Sequence, residues 1–232
     1  MQNFSRNRGG IMADKTICDA RDLLTVLADW KGRQSIFRGV SSEKHLLIPA
    51  IGRCPPVENR KLTTIESRLF RRFKERSLPH LQFVPRDDWE WLGVAQHFGL
   101  PTRLLDWTTN PLVAAYFAVE RDVEDNAAIY VCEVKRVLDK SKDQDPLKID
   151  GVLRYQPPAI TERIVQQSGL FTVHPNIEDP FKPDTLEELI IPADSRRELK
   201  RQLFKLGFSR GSLFPGLDGI ASDLFWEGTG AY

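Results

Sequence analysis

Long apolar runs are missing from this sequence. None of its 232 residues falls in a stretch approaching the roughly 20 consecutive apolar positions of a membrane-spanning helix. The basic residues near the N-terminus, MQNFSRNRGGIMADKT, have no apolar segment behind them to act as a secretory signal, so the chain is expected to stay in the cytoplasm and off membranes. Cysteine is scarce: Cys18, Cys54 and Cys132 are an odd number at wide spacing, which argues against a disulfide framework and a CxxC-type zinc site. An excess of either charge is also lacking. The net charge is +1 with 28% charged residues, and no global field draws such a chain to nucleic acid or to an anionic lipid surface. HExxH, GxSxG, GxxxxGK(S/T) and GxGxxG are absent, which removes the geometry of zincins, α/β-hydrolases, P-loop proteins and dinucleotide-binding doubly wound folds. His45, His80, His97 and His174 have no ligand spacing, and no metal is expected. No internal repeat or low-complexity tract stands out.

What is present is a core. A hydrophobic content of 41% over this length suffices for one domain. Residues 1–14 are polar and aperiodic and are expected to form a flexible tail, with one domain over 15–232. Leu23, Leu24, Leu27 and Trp30 recur at helical spacing, and QSIFRG then reads as a strand with Arg38 at its end. A helix over 62–77 sets Leu62, Ile65, Leu69 and Phe73 against a basic face. Asp87 or Asp88 caps WEWLGVAQHF, which Gly99 stops; Asn110 then caps a helix with Pro111 at its first position that is apolar on nearly every face. AAIYVCEV, LFTVH and LEELIIP read as strands. Ser195 and Glu198 have the spacing of a capping box, and a last helix is expected to turn Leu217, Ile220, Ala221 and Leu224 inward. Helices and strands without regular βαβ alternation predict an α+β fold: a single compact domain with a mixed or antiparallel sheet core flanked by helices.

Chemistry concentrates between two apolar helices. GVAQHFGLPTRLLDWTTNP gathers Gln96, His97, Thr102, Arg103, Asp106, Trp107, Thr108, Thr109 and Asn110 beside the core. There polar groups must pair with one another, with backbone or with a ligand. Local pairing accounts for them one at a time, with His97 at helix carbonyls, Arg103 on Asp106 and Asn110 as a cap. The cluster as a whole predicts a site, with Arg38 as its partner.

Six segments in order, Ile36-Phe37-Arg38-Gly39, LIPAIGR, QHFGLPTRLLDWTTNPLVAAYFA, RIVQQSGLFTVH, IIPADSRREL and SLFPGLDGIASDL, resemble the FRG domain. A second resemblance is to ADP-ribosyltransferases of the arginine-serine-glutamate type. These have an arginine-glycine on an early strand, a Ser-Thr-Ser strand leading into an AxxFA helix, a core strand, and a late strand with glutamate before an apolar run and proline. FRG at 37–39, WTTNPLVAAYFA at 107–118, AIYVCEV at 128–134 and EELIIP at 187–192 follow that order, with Trp107 and Thr109 in place of the two serines.

That likeness implies an ADP-ribosyltransferase-like fold and NAD as substrate. Loss of nicotinamide passes through an oxocarbenium-like state that a carboxylate stabilises. Glu188 would supply the carboxylate, and Arg38 with Gly39 would hold phosphate or ribose. Thr108 and Thr109 would position nicotinamide, and Trp107 or Tyr116 would stack on it. Glu187 points to the opposite strand face from Glu188, and Gln166 and His97 compete for the polar position opposite Arg38. The implied role is a toxin or defence effector, such as one active in phage defence, modifying a protein or nucleic acid and restrained by an inhibitory partner protein. The alternative is a non-catalytic module that binds a nucleotide or a protein through the same pocket. A third reading makes His97 and Asp106 the acid and base of a hydrolase or nuclease.

Overall fold

The computed structural model describes residues 15–28, 34–158 and 162–230. The segment expected as a tail, 1–14, and Trp30 lie outside the described residues. Seven strands form one sheet: β1 (Lys15–Thr16), β2 (Ser35–Val40), β3 (Leu104–Thr108), β4 (Ala127–Glu133), β5 (Leu153–Tyr155), β6 (Gly169–Val173) and β7 (Glu187–Ile191), in the order β1-β7-β4-β2-β3-β6-β5. Only β1 and β7 pair in parallel among the named strands; the other neighbours are antiparallel. The α helices are α1 (Ala20–Ala28), α2 (Leu62–Ser77), α3 (Asp88–His97), α4 (Pro111–Val119), α5 (Glu162–Gln166), α6 (Arg196–Lys205), α7 (Arg210–Leu213) and α8 (Leu217–Thr229). The mixed sheet flanked by helices is the α+β architecture that the sequence predicts.

Alternation on β2 divides the core. Phe37 joins Ile129, Val131, Leu189 and Ile191 under α1, α4 and α6, while Ile36 and Val40 face the other way with Trp107, Tyr130 and Cys132. A third cluster packs α2 and α3 on β5 and β6 through Phe70, Trp89, Leu92, Tyr155 and Phe171. α4 starts where Asn110 Oδ1 accepts from the Leu112 N–H, with Pro111 in the first turn, and Val113, Ala114, Ala115, Ala118 and Val119 are all fully buried. Its small residues let it lie directly on β2. A Cβ at Gly39 would stand 1.8 Å from the Ala114 carbonyl oxygen and 2.6 Å from Ala118 N, so the glycine after Arg38 is required by contact with backbone.

Three expectations need correction. Arg103 pairs with Glu66, not Asp106: Glu66 on α2 lies between Leu62 and Phe70 on the buried stripe and takes the guanidinium at 2.7 Å and the Arg103 N–H at 2.8 Å. Ser195 does not cap α6. It closes a 3-10 turn, Ala193–Ser195, in helical φ/ψ, and Glu198 bonds Arg201 and Gln202 instead. On α8, Leu217, Ile220 and Leu224 are 83%, 54% and 63% exposed. The inward face is Gly219, Ser222, Asp223 and Trp226. Gly219 sits where a Cβ would meet the Phe214 carbonyl at 2.3 Å, and Asp223 accepts from Ser209 Oγ and from the Arg210 and Gly211 N–H groups at the start of α7. Those charge-assisted bonds and close backbone approach outweigh the apolar pattern.

Candidate functional site

β2 and β3 share a single register pair, Phe37 with Thr108. Beyond it the strands part, and Arg38 reaches across the fork to give an N–H to the Asp106 carbonyl at 2.5 Å. A cleft of about 460 Å³ opens there. Arg38, Gly39, Asp106, Trp107 and Thr108 form its floor, with Gln96 and His97 on one wall. Glu120 and Arg121 after α4, and Arg163 and Gln167 from α5 and the turn that follows it, complete the lining. Its volume lies within the range usual for small-molecule sites.

A relay of side chains fixes Asp106. Thr102 Oγ accepts from the Leu104 N–H and donates to Gln96 Oε1, and Gln96 Nε2 then donates to Asp106 Oδ2 at 3.0 Å. The Arg38 guanidinium lies 3.6 Å from the same carboxylate oxygen. Burial pulls the Arg38 guanidinium below its ordinary value, the Asp106 charge opposes this, and Arg53 adds to the lowering. A guanidinium nonetheless keeps its proton at any working pH. Arg163 is likewise lowered chiefly by burial, with Asp106 and Glu120 opposing. The cleft therefore presents oriented positive charge in a partly dry setting, where charge-assisted bonds to an anion are strong.

Trp107 is 3% exposed, and its indole N–H bonds Thr172 Oγ at 2.8 Å. Its ring belongs to the core, and the residue also lines the cleft. The Thr172 hydroxyl is within 2.8 Å of His174 Nε2, which burial, with Arg38 and Arg103 nearby, holds down at about 4, so that ring is neutral near pH 7. Thr108 Oγ donates to the Gln167 carbonyl at 2.7 Å and accepts from the Asn110 N–H. That hydroxyl joins the floor to the wall.

Of the residues expected at a site, Arg38, Gly39, His97, Trp107 and Thr108 come together in this cleft. Thr109 is exposed at the end of β3, its N–H bonded to the Ser168 carbonyl. Gln166 is exposed at the end of α5, whereas Gln167 lines the cleft and bonds the Leu213 carbonyl. Tyr116 lies across α4 in a separate cavity with Arg210 and Lys200. Glu188 is in register with Tyr130, and Tyr130 with Arg38, so the three share one face of the sheet with Glu188 two strands from the arginine. Burial and then the Glu188 carboxylate push the Tyr130 hydroxyl up to about 12. Arg163 and Gln167, four residues apart, could have been found from their helical spacing opposite RG; Glu120 and Arg121 carry no such signal.

Among the described residues, no three His, Cys, Asp or Glu side chains gather as a metal site, and no helix is long and apolar enough to cross a membrane. Residues 33–127, from the approach to β2 through α4 to the first residue of β4, match the family model of the FRG domain. No curated protein and no solved structure matches the chain.

Proposed function

The chain carries an FRG domain, and from that premise we propose that the fork between β2 and β3 is the binding site of a phosphorylated nucleotide, with Arg38 as the phosphate anchor. One observation carries this reading: Arg38, half-buried on a central strand and aimed by the Asp106 carbonyl, shares a concave cleft with Arg121 and Arg163. An arginine fork locked by backbone presents its remaining donors without paying rotamer entropy on binding. The carboxylates of the cleft are committed to structure, Asp106 to Gln96 and Arg38 and Glu120 to Arg210, which favours recognition over chemistry.

A second reading, an NAD-using ADP-ribosyltransferase, is favoured by the row Glu188–Tyr130–Arg38 on one sheet face. It puts an acid and the anchoring arginine about 10 Å apart along the sheet, two inter-strand spacings, a span that an NAD molecule bridges. Glu188 would have to act past Tyr130.

Titration of NAD into purified protein, with nicotinamide measured in the same samples, separates the two. Saturable binding that Arg38→Ala removes, without nicotinamide release, is the expected result. Release that Glu188→Gln abolishes would establish the transferase reading. Binding of NAD and of simple nucleotides that is equally tight in Arg38→Ala would sink the phosphate-anchor assignment.

A further inference from the structure

A second pocket of about 420 Å³ adjoins the cleft and shares His97 with it. Its lining is of a different kind. Phe83 and Phe98 leave 36% and 63% of their surface to solvent, and line it together with Gly93 and Val94 of α3 and the exposed His80 and Gln82. We propose that this pocket takes the base of the same nucleotide, so that the ligand lies astride His97 with its phosphate at Arg38 and its base against Phe83 and Phe98. The inference rests on the reading given above and adds where the base is held, so that the nucleotide is gripped at both ends.

Four features support a base as the occupant. The pocket meets the cationic cleft at His97, which lines both, so the two suit a single molecule with an anionic end and a flat apolar end. Exposed phenylalanine rings offer faces on which any base can stack. Gly93 is not demanded by packing: a Cβ there would find Tyr155 at an ordinary 3.7 Å, unlike Gly39, which meets backbone at 1.8 Å. The glycine thus lines the pocket without answering a steric need of the core. Finally, His97, its ring edge-on to Phe98 at 4.9 Å, is held below its ordinary value by burial and by Arg163. A neutral imidazole has one donor and one acceptor, which suits ribose hydroxyls between a base and a phosphate.

Calorimetric titration of the full chain with AMP and with ribose 5-phosphate tests this. AMP is expected to bind at least about tenfold more tightly. Phe98→Ala and Phe83→Ala, both at exposed positions that leave folding intact, should each remove much of that advantage and leave ribose 5-phosphate unchanged. Arg38→Ala should weaken both ligands. If ribose 5-phosphate binds in an Arg38-dependent way and AMP binds no better, or if the phenylalanine variants leave AMP untouched, the base pocket is overturned while the phosphate anchor stands. If neither compound binds, or Arg38→Ala changes neither, the anchor fails and the base pocket with it.

Discussion

Gly39→Ala tests the link between core and cleft most directly. The new methyl would be built 1.8 Å from the Ala114 carbonyl oxygen and 2.6 Å from Ala118 N, and both are backbone atoms of α4 that no rotamer change can move aside. Restoring a contact of about 3.4 Å requires β2 and α4 to separate by more than an ångström, in a layer packed at crystal-like density. Overpacking of this kind costs about 1–3 kcal/mol, and rigid backbone on one side with the central strand of the sheet on the other puts this case at the upper end. The displaced strand carries Arg38, whose bond to Asp106 O fixes the floor of the cleft. Urea denaturation should show a lower midpoint with an unchanged slope, and nucleotide affinity should fall at concentrations of urea where the variant is still fully folded. An unchanged midpoint would refute the packing argument, and a lowered midpoint with wild-type affinity would refute the coupling of α4 to Arg38.

Other perturbations probe separate features. Glu66→Leu strands the Arg103 guanidinium, 4% exposed, with the Leu147 carbonyl as its remaining acceptor, so stability should drop by about 3–5 kcal/mol; Glu66→Leu with Arg103→Met should recover part of the loss, and a single variant within about 0.5 kcal/mol of wild type in urea melts would contradict this. His174 sits near 4 when folded against an ordinary 6.5. Its contribution is therefore complete above 6.5 and lost as pH falls toward 4, about 3 kcal/mol in all. His174→Gln should flatten that part of the stability profile, and an equally steep acid limb in the variant would show that other groups cause it. Trp107→Phe removes the indole N–H from Thr172 Oγ; a loss of about 1 kcal/mol with nucleotide affinity retained is expected, and lost affinity in a stable variant would show that the indole edge touches the ligand.

Local punctuation made much of the fold legible. Asn110-Pro111 started α4, Gly99 at φ +84 stopped the chain after α3, and unbroken apolar runs marked β4 and α4. The polar cluster between Gln96 and Asn110 was legible as a site because its members could not all be satisfied in isolation. What could not be read depended on pairing across long sequence separations. Nothing local shows that β2 and β3 hold together at one pair and then diverge, yet that fork is the cleft. The partner of Arg103 lies 37 positions upstream, hidden as the only acidic residue on the buried stripe of α2. The orientation of α8 departs from its apolar periodicity because Gly219 and Asp223, at the same helical spacing, meet backbone and the start of α7. The walls from α4 and α5 are charged residues on short segments, and only the folded sheet turns them to one place.

The division of labour between floor and walls has an evolutionary consequence. Arg38 and Thr108 belong to the central strands, and moving them disturbs the packing of α4 on Gly39. His97, Arg121, Arg163 and Gln167 stand at helix ends or just beyond them, outside the strands of the sheet. Drift in such a protein can rewrite which molecule is accepted while keeping the hand that grips it. Ligand preference should therefore diverge among descendants of this scaffold faster than the arginine-glycine pair at its centre.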